Sequence, residues 1–322
     1  MPDTSATVAA PRADRAGVPP PPPAPRAGLA DHAGASTQPR VLRKLLSHRG
    51  AVVGGIIVAL VLLASAFAPL VAPADPYALD PNRRLLPPAW LDGGRWDYPL
   101  GTDHVGRDIL SRVIYGSRIS TVVGLSAVLI SATLGAILGL LAGFYGGVAE
   151  RVILFFADVQ IAFPFYLLAI SIIAAVGSGF GTIIIVFGVA GWVIYARVVR
   201  GSVLSLKERD FVEAARALGG GHGRLLLRHI LPNVLTPVII LATLRVASVI
   251  VWESGLSFLG LSVPPPTPTW GRMLAEGRAY LANAWWAATF PGLAIMVTVL
   301  GVNMLGDGLR DALDPRLELS DK

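Results

Sequence analysis

The sequence predicts an all-α membrane protein with six transmembrane helices. Three observations carry that prediction. Of the 322 residues, 53% are hydrophobic and only 15% are charged, against about 25% charged in an average soluble chain. The mean hydropathy is +0.62. The apolar residues gather into six stretches, with the excess of Lys and Arg between alternate stretches. A soluble core of this size could not be covered by 27 basic and 21 acidic side chains. The net charge of +6 is not gathered on one basic face, which argues against nucleic acid. Cysteine is absent, so disulfides, thiolate metal sites and cysteine nucleophiles are excluded.

Residues 1–45 are rich in Pro, Ala, Gly and Arg, with a run of five prolines at Pro19–Pro23. Such a composition cannot repay the entropy of ordering, so a disordered cytoplasmic tail is expected. No apolar stretch follows Met1, so a signal peptide is not expected. An N-terminal transmembrane helix is placed at 46–72, with its apolar part at Ala51–Ala72. Residues 73–118 form an external loop. The remaining spans are Ile119–Ala142, Val152–Val176, Thr182–Tyr195, Asn233–Trp252 and Trp285–Gly306, a five-helix core over 119–308. Each is measured against the ~20 residues that a helix needs to cross the hydrocarbon. The fourth is short and is extended through Val198 and Val199, with Arg197 and Arg200 snorkelling. Residues 309–322 form a cytoplasmic C-terminal tail.

Loop charge sets the orientation. Residues 1–49 hold seven basic and three acidic groups, as does the 197–232 loop, whereas 73–118 holds six of each. Cytoplasmic segments carry the Lys and Arg excess, so both termini and the 197–232 loop are cytoplasmic. Trp285 and Trp286 fall where the sixth span enters from outside, which suits an interfacial aromatic belt. Gly135, Gly139 and Gly143 make a doubled GxxxG in the second span. Small residues four apart let another helix approach closely, either within the bundle or between subunits.

Chemistry is sparse. The lysines are Lys44, Lys207 and Lys322, and none closes a GxxxxGK[ST] phosphate loop. Neither HExxH nor GxSxG occurs. The chain is therefore not expected to be an enzyme, nor to hold a cofactor or metal.

The 197–232 loop is the most informative segment. Phe211, Ala214, Ala215 and Leu218 recur at helical spacing, and Gly219, Gly220 and Gly221 end that helix. A second apolar-basic helix, Arg224–Ile230, leads to Pro232 and the fifth span. A channel needs no such extramembrane element unless something docks on it.

Glu213-Ala214-Ala215, then Gly219, then Leu231-Pro232, resembles the EAA loop of ABC-importer permeases. His229 departs from the general pattern, which has isoleucine there, and the HILPN ending resembles the dipeptide, oligopeptide and nickel branch. Leu100-Gly101-Thr102-Asp103, Gly106-Arg107-Asp108, Ala162-Phe163-Pro164, Ser257-Phe258-Leu259-Gly260-Leu261, Pro291-Gly292 and the run Gly306–Pro315 agree with it. The resemblance covers about residues 40–317. It implies a type I permease fold: five core helices with one N-terminal helix in front. It also implies a coupling helix that seats on an ATP-binding subunit through Glu213, Ala214, Ala215 and Gly219, with Phe211 and Leu218 on the same helix. The implied partners are a second homologous permease, two cytoplasmic ATP-binding subunits that hydrolyse the ATP, and an external solute-binding protein, in a bacterial inner membrane. The implied function is import of peptides or a related small solute.

Asp158, Arg245, Glu253 and Asp307 lie in or at the ends of spans. Each such charge costs at least about 2.5 kcal/mol near the bilayer centre, so each must face the bundle interior, water or a partner. For Arg245 two roles are open: an internal pair, with Asp158 or with the partner permease, or a contact to a peptide carboxylate. Asp158 could also reach the interface, and Glu253 could shape an outer gate or make an internal hydrogen bond. Asp307 is expected to tie down the C-terminal segment. Trp90, Trp96 and Tyr98 place the 73–118 loop either against the binding protein or as a lid over the bundle. The alternatives are a stand-alone secondary transporter, which would show inverted repeats, and a membrane enzyme. No repeat relates 51–176 to 182–306.

Overall fold

The computed structural model describes residues 38–313. The expectations for the Pro-rich tail and for the last residues of the chain lie outside them. Twelve α-helices and no β-strand occur among the described residues. They are α1 (Gln38–Ser47), α2 (Arg49–Ala66), α3 (Ala68–Val71), α4 (Ile109–Tyr145), α5 (Gly147–Ala162), α6 (Phe165–Val176), α7 (Phe180–Lys207), α8 (Asp210–Ala217), α9 (His222–Arg224), α10 (Leu231–Phe258), α11 (Trp270–Arg278) and α12 (Trp286–Leu313). Five segments are long and apolar enough to cross a membrane, and six if the bent pair α5–α6 counts as one span.

Several expected boundaries are corrected. The third span, read as one helix over Val152–Val176, is two helices bent by 91°. Proline cannot continue a helix, and it forces the residue before it towards extended backbone. Phe163 accordingly sits at φ −93°, ψ 129°, and α6 starts anew after Pro164. The loop expected over 73–118 ends at Asp108, not at residue 118. The Asp108 side chain accepts from the Ser111 N–H at 2.7 Å and so starts α4 about ten residues earlier than hydropathy suggested. At 37 residues, α4 is about 55 Å long and must project beyond the hydrocarbon. The separate second helix expected at Arg224–Ile230 is instead a π-helical stretch, Leu225–Ile230, continuous with α10. The sixth span runs on to Leu313, and Asp307 is exposed on α12 rather than ending it.

The core lies where α4, α6, α7 and α10 meet, around Val123, Ile173, Ile183, Phe187, Val249 and Leu256. A second apolar cluster fills the end of the bundle that carries α8, around Tyr195, Val203, Val212, Leu225, Ile230 and Val234. The doubled GxxxG faces α7: a Cβ on Gly135 would stand 2.4 Å from the Trp192 carbonyl oxygen, and one on Gly139 2.6 Å from that of Ala196. In the same way α2 lies against α12, where a Cβ on Gly54 would meet the Gly301 oxygen at 2.6 Å.

The loop between α3 and α4 is a folded cap. Trp286 is buried and donates to the Thr102 carbonyl at 3.2 Å, so it belongs to this cap and not to an interfacial belt; Trp285 stays partly exposed. Trp270 donates to the Val113 carbonyl at 2.9 Å, tying α11 to α4. Tyr98 is held by Arg83 at 2.8 Å, and Trp90 meets Phe290 edge-on, while Trp96 is 79% exposed.

Candidate functional site: the coupling loop and the charged groups

The candidates of the 197–232 loop lie on α8 and its C-terminal turn. Asp210 and Glu213 occupy the first turn and Arg216 the last, the charge order that the helix dipole favours. The Gly220 N–H donates to the Ala215 carbonyl and the Gly219 N–H to that of Arg216, each at 3.0 Å. This is a Schellman cap. Its two glycines serve different needs. Gly219 adopts φ +80°, and a Cβ on Gly220 would press to 2.6 Å from the Ala215 oxygen.

Only one face of α8 is used by the bundle. Val212 is fully buried among Val199, Val203, Leu225 and Ile230, with Ala215 partly buried beside it. Phe211, Glu213, Ala214 and Leu218 are exposed, Leu218 at 89%. Glu213 has no ion-pair partner among the described residues. The helix thus presents an acidic and apolar outer face while its inner face is locked in place. That inner face touches the residues that begin α10 and those near the end of α7. Lys207, at the end of α7, donates to the last carbonyls of α4, Gly143 at 3.3 Å and Phe144 at 3.0 Å. His222 packs edge-on against Phe144 at 5.5 Å. Packed and hydrogen-bonded atoms thus connect α8 with α4, α7 and α10.

The intramembrane candidates are not brought together. Asp158 bonds Arg197 at 2.6 Å on the exposed side of α5 and α7. The internal pair expected between Asp158 and Arg245 does not form. Arg245 instead lies over the Trp252 ring, 5.7 Å from its centroid. Glu253 is fully buried and accepts from Ser257 at 2.6 Å, Ser262 at 2.9 Å and Ser120 at 3.3 Å. Ser257 also bonds Thr269 at 3.0 Å, the residue that caps α11. Glu253 is thus a knot joining α4, α10, the following loop and α11.

One charged cluster was not visible in the sequence. Arg112 is 1% exposed and bonds both Asp103 and Glu276, the latter at 3.1 Å. Arg107 bonds Asp103 at 2.6 Å and Glu276 at 2.9 Å, and Arg272 bonds Glu276 at 2.8 Å. Burial alone would raise the Asp103 carboxyl, but Arg112, Arg107 and two backbone N–H groups outweigh it and hold it below its ordinary value. Glu276 is likewise lowered, burial being outweighed by Arg112, Arg272 and Arg107. Asp103, His104 and Glu276 have ligand atoms within 4.8 Å of one another. Three guanidinium groups already satisfy those carboxylates and would repel a cation, so the donor set does not fit a metal. The only hint in the sequence was equal acid and base counts over 73–118; Glu276 lies too far along the chain to be paired from sequence.

The described residues form a bundle of apolar helices with a folded cap and one short helix presented outside the bundle, the architecture of a membrane component. Residues 135–319 match the family of binding-protein-dependent transport system inner membrane components, and 39–88 match the N-terminal transmembrane domain of oligopeptide transport permease C. The chain is 45% identical over 84% of its length, and over 89% of the relative's, to the di/tripeptide transport system permease protein DppC of Pseudomonas aeruginosa. The dipeptide transport system permease protein DppC of Escherichia coli is 43% identical, with 84% and 90% covered. The glutathione transport system permease protein GsiD of Pectobacterium atrosepticum is 41% identical, with 86% and 90% covered. The chain belongs to the binding-protein-dependent transport permease family. It is a multi-pass inner-membrane component of an ABC importer, a system that works with ATP-binding and solute-binding subunits, which answers the secondary-transporter alternative.

Proposed function

We propose that this chain imports small peptides as one of two homologous permease subunits, supplying half of the translocation pathway and one ATPase dock, with both termini cytoplasmic. The observation that carries the dock is the outer face of α8. A leucine exposed at 89% and an unpaired Glu213, on a helix whose inner face is fixed in the bundle, make a surface suited to a partner. The peptide solute is supported by the names of the relatives, and the second permease by the general architecture of such importers. Glu213→Lys or Gly219→Val should lower uptake tenfold or more while the subunit still inserts in the membrane. A lost docking contact of about 1–3 kcal/mol is enough for that. Normal uptake and normal copurification of the ATP-binding subunit with Glu213→Lys would sink the dock.

The orientation has its own test. Ser205 and Asp92 are both exposed, and the chain has no native cysteine. Single cysteines placed there should react with a membrane-impermeant thiol reagent from opposite sides of intact cells, Asp92→Cys from outside. Labelling of both from outside would overturn the orientation.

A further inference from the structure

A cavity of about 470 Å³ opens where the broken span meets α7 and α10. Its wall includes Gln160, Pro164, Phe165, Arg197, Arg245 and Trp252. Arg245 stands near the midpoint of α10, within an apolar span where an ionisable group is costly. Among the described residues no carboxylate lies within ion-pair reach of it. Arg197, in the same wall, is already bonded to Asp158, and the Gln160 amide is satisfied by the Ala190 carbonyl and the Trp192 indole. Arg245 therefore enters the cavity as its unmatched cation.

The surroundings fix that cation in place. Trp252 lies under the guanidinium, Phe165 stacks on Trp252 at 4.4 Å, and Phe187 stacks on Phe165 at 5.5 Å. Phe165 is the first residue of α6, so the Pro164 break and the aromatic stack are one construction. The N-terminus of the 12-residue α6 carries no side-chain cap and adjoins the same cavity through Pro164 and Phe165. A helix N-terminus favours a negative charge. A guanidinium without a carboxylate, an uncapped helix start and apolar aromatic walls together describe a receptor for a small carboxylate with an apolar body.

We propose that this cavity receives the terminal carboxylate of the peptide in transit, with Arg245 as its charge partner. The proposal rests on the reading of the solute as a peptide. The site is transient by design: a planar fork over Trp252 holds a carboxylate through two hydrogen bonds, with no second cation free to trap it.

The test uses the complete importer, with its second permease, ATP-binding subunits and solute-binding protein, in proteoliposomes with radiolabelled dialanine. Arg245→Gln should leave the yield of intact complex unchanged and lower maximal uptake about 10–100-fold, the worth of a lost charge-assisted pair. The half-saturating dialanine concentration should stay the same, because capture belongs to the solute-binding protein. Arg245→Lys should recover part of the rate, since it restores charge without the two-point contact. Undiminished uptake with Arg245→Gln would overturn the proposal. So would a yield of complex that falls in step with uptake, which would assign Arg245 to assembly with the partner permease. If the unaltered importer takes up no dialanine, the peptide reading itself falls; if it does and Arg245→Gln is unimpaired, only the cavity assignment falls.

Discussion

Arg112→Ala should loosen the cap built by the loop before α4 and by α11, costing about 3–5 kcal/mol, the usual penalty for removing one partner of a buried ion pair. Arg112 is 1% exposed and is the one guanidinium that reaches both Asp103 and Glu276 from α4. Without it Asp103 retains Arg107 and Glu276 retains Arg107 and Arg272, so the lower end of that range is expected. The measurement is limited proteolysis from the external face together with thermal unfolding in detergent. The loop before α4 should become cleavable, and the transition should fall by several degrees. Unchanged protease resistance would show that Trp286 and Trp270 hold the cap without the charges.

The same cluster predicts a pH dependence. Asp103 and Glu276 have carboxyls held below their ordinary values, so their contribution is complete above about pH 4, the unfolded range. It is lost as pH falls through their lower folded values. Asp108 works the other way. Its carboxyl is raised by burial, against the opposing hydrogen bonds from Ser111 and Leu110. Its protonation on acidification therefore offsets part of the loss. In Arg112→Ala the acid sensitivity of the cap should shrink, because the carboxylates have less to lose.

How far the fold was legible follows from which forces act locally. Each apolar stretch read from hydropathy lies on helical structure, since apolar length is a property of one contiguous segment. Hydropathy misplaced the start of α4, because Asp108 caps a helix that extends well outside the apolar stretch. It also missed the bend at Pro164, although Ala162-Phe163-Pro164 is among the motifs shared with the permeases: apolar residues continue on both sides of the proline, so hydropathy does not register the break in the backbone. The α8 helix and its glycine cap were readable because capping is local. Which face α8 buries was not, since Val212 is chosen by Val199, Val203 and Ile230 from distant parts of the chain. The charged groups were least legible. Arg245 and Asp158 looked like partners on cost alone, yet Arg197 claims Asp158, and the three serines around Glu253 come from three separate segments.

Gly139→Val should abolish the folded subunit, and this separates the two roles open to the glycine stripe. A Cβ at residue 139 would stand 2.6 Å from the Ala196 carbonyl oxygen and 2.8 Å from the Val199 Cβ, and one at 135 would stand 2.5 Å from the Tyr195 Cβ. These obstacles are backbone or Cβ atoms, which no rotamer change can move. Accommodation requires α4 and α7 to separate along their contact, leaving Val199 and Val203 poorly packed and the inner anchorage of α8 with them. Overpacking of a tight contact costs about 1–3 kcal/mol where neighbours can shift, and more is expected where a helix must move as a body. Gly139→Ala brings the same Cβ and should be damaging in the same direction, though less, for want of the two methyls. Gly181 is the control: it is a helical glycine in α7, and a Cβ placed on it would meet nothing within 4 Å, so Gly181→Ala should be tolerated. If the stripe served subunit association instead, Gly139→Val would yield a folded, protease-resistant monomer that fails to pair. Recovery of such a monomer from detergent, with unaltered thermal unfolding, would refute the intramolecular contact.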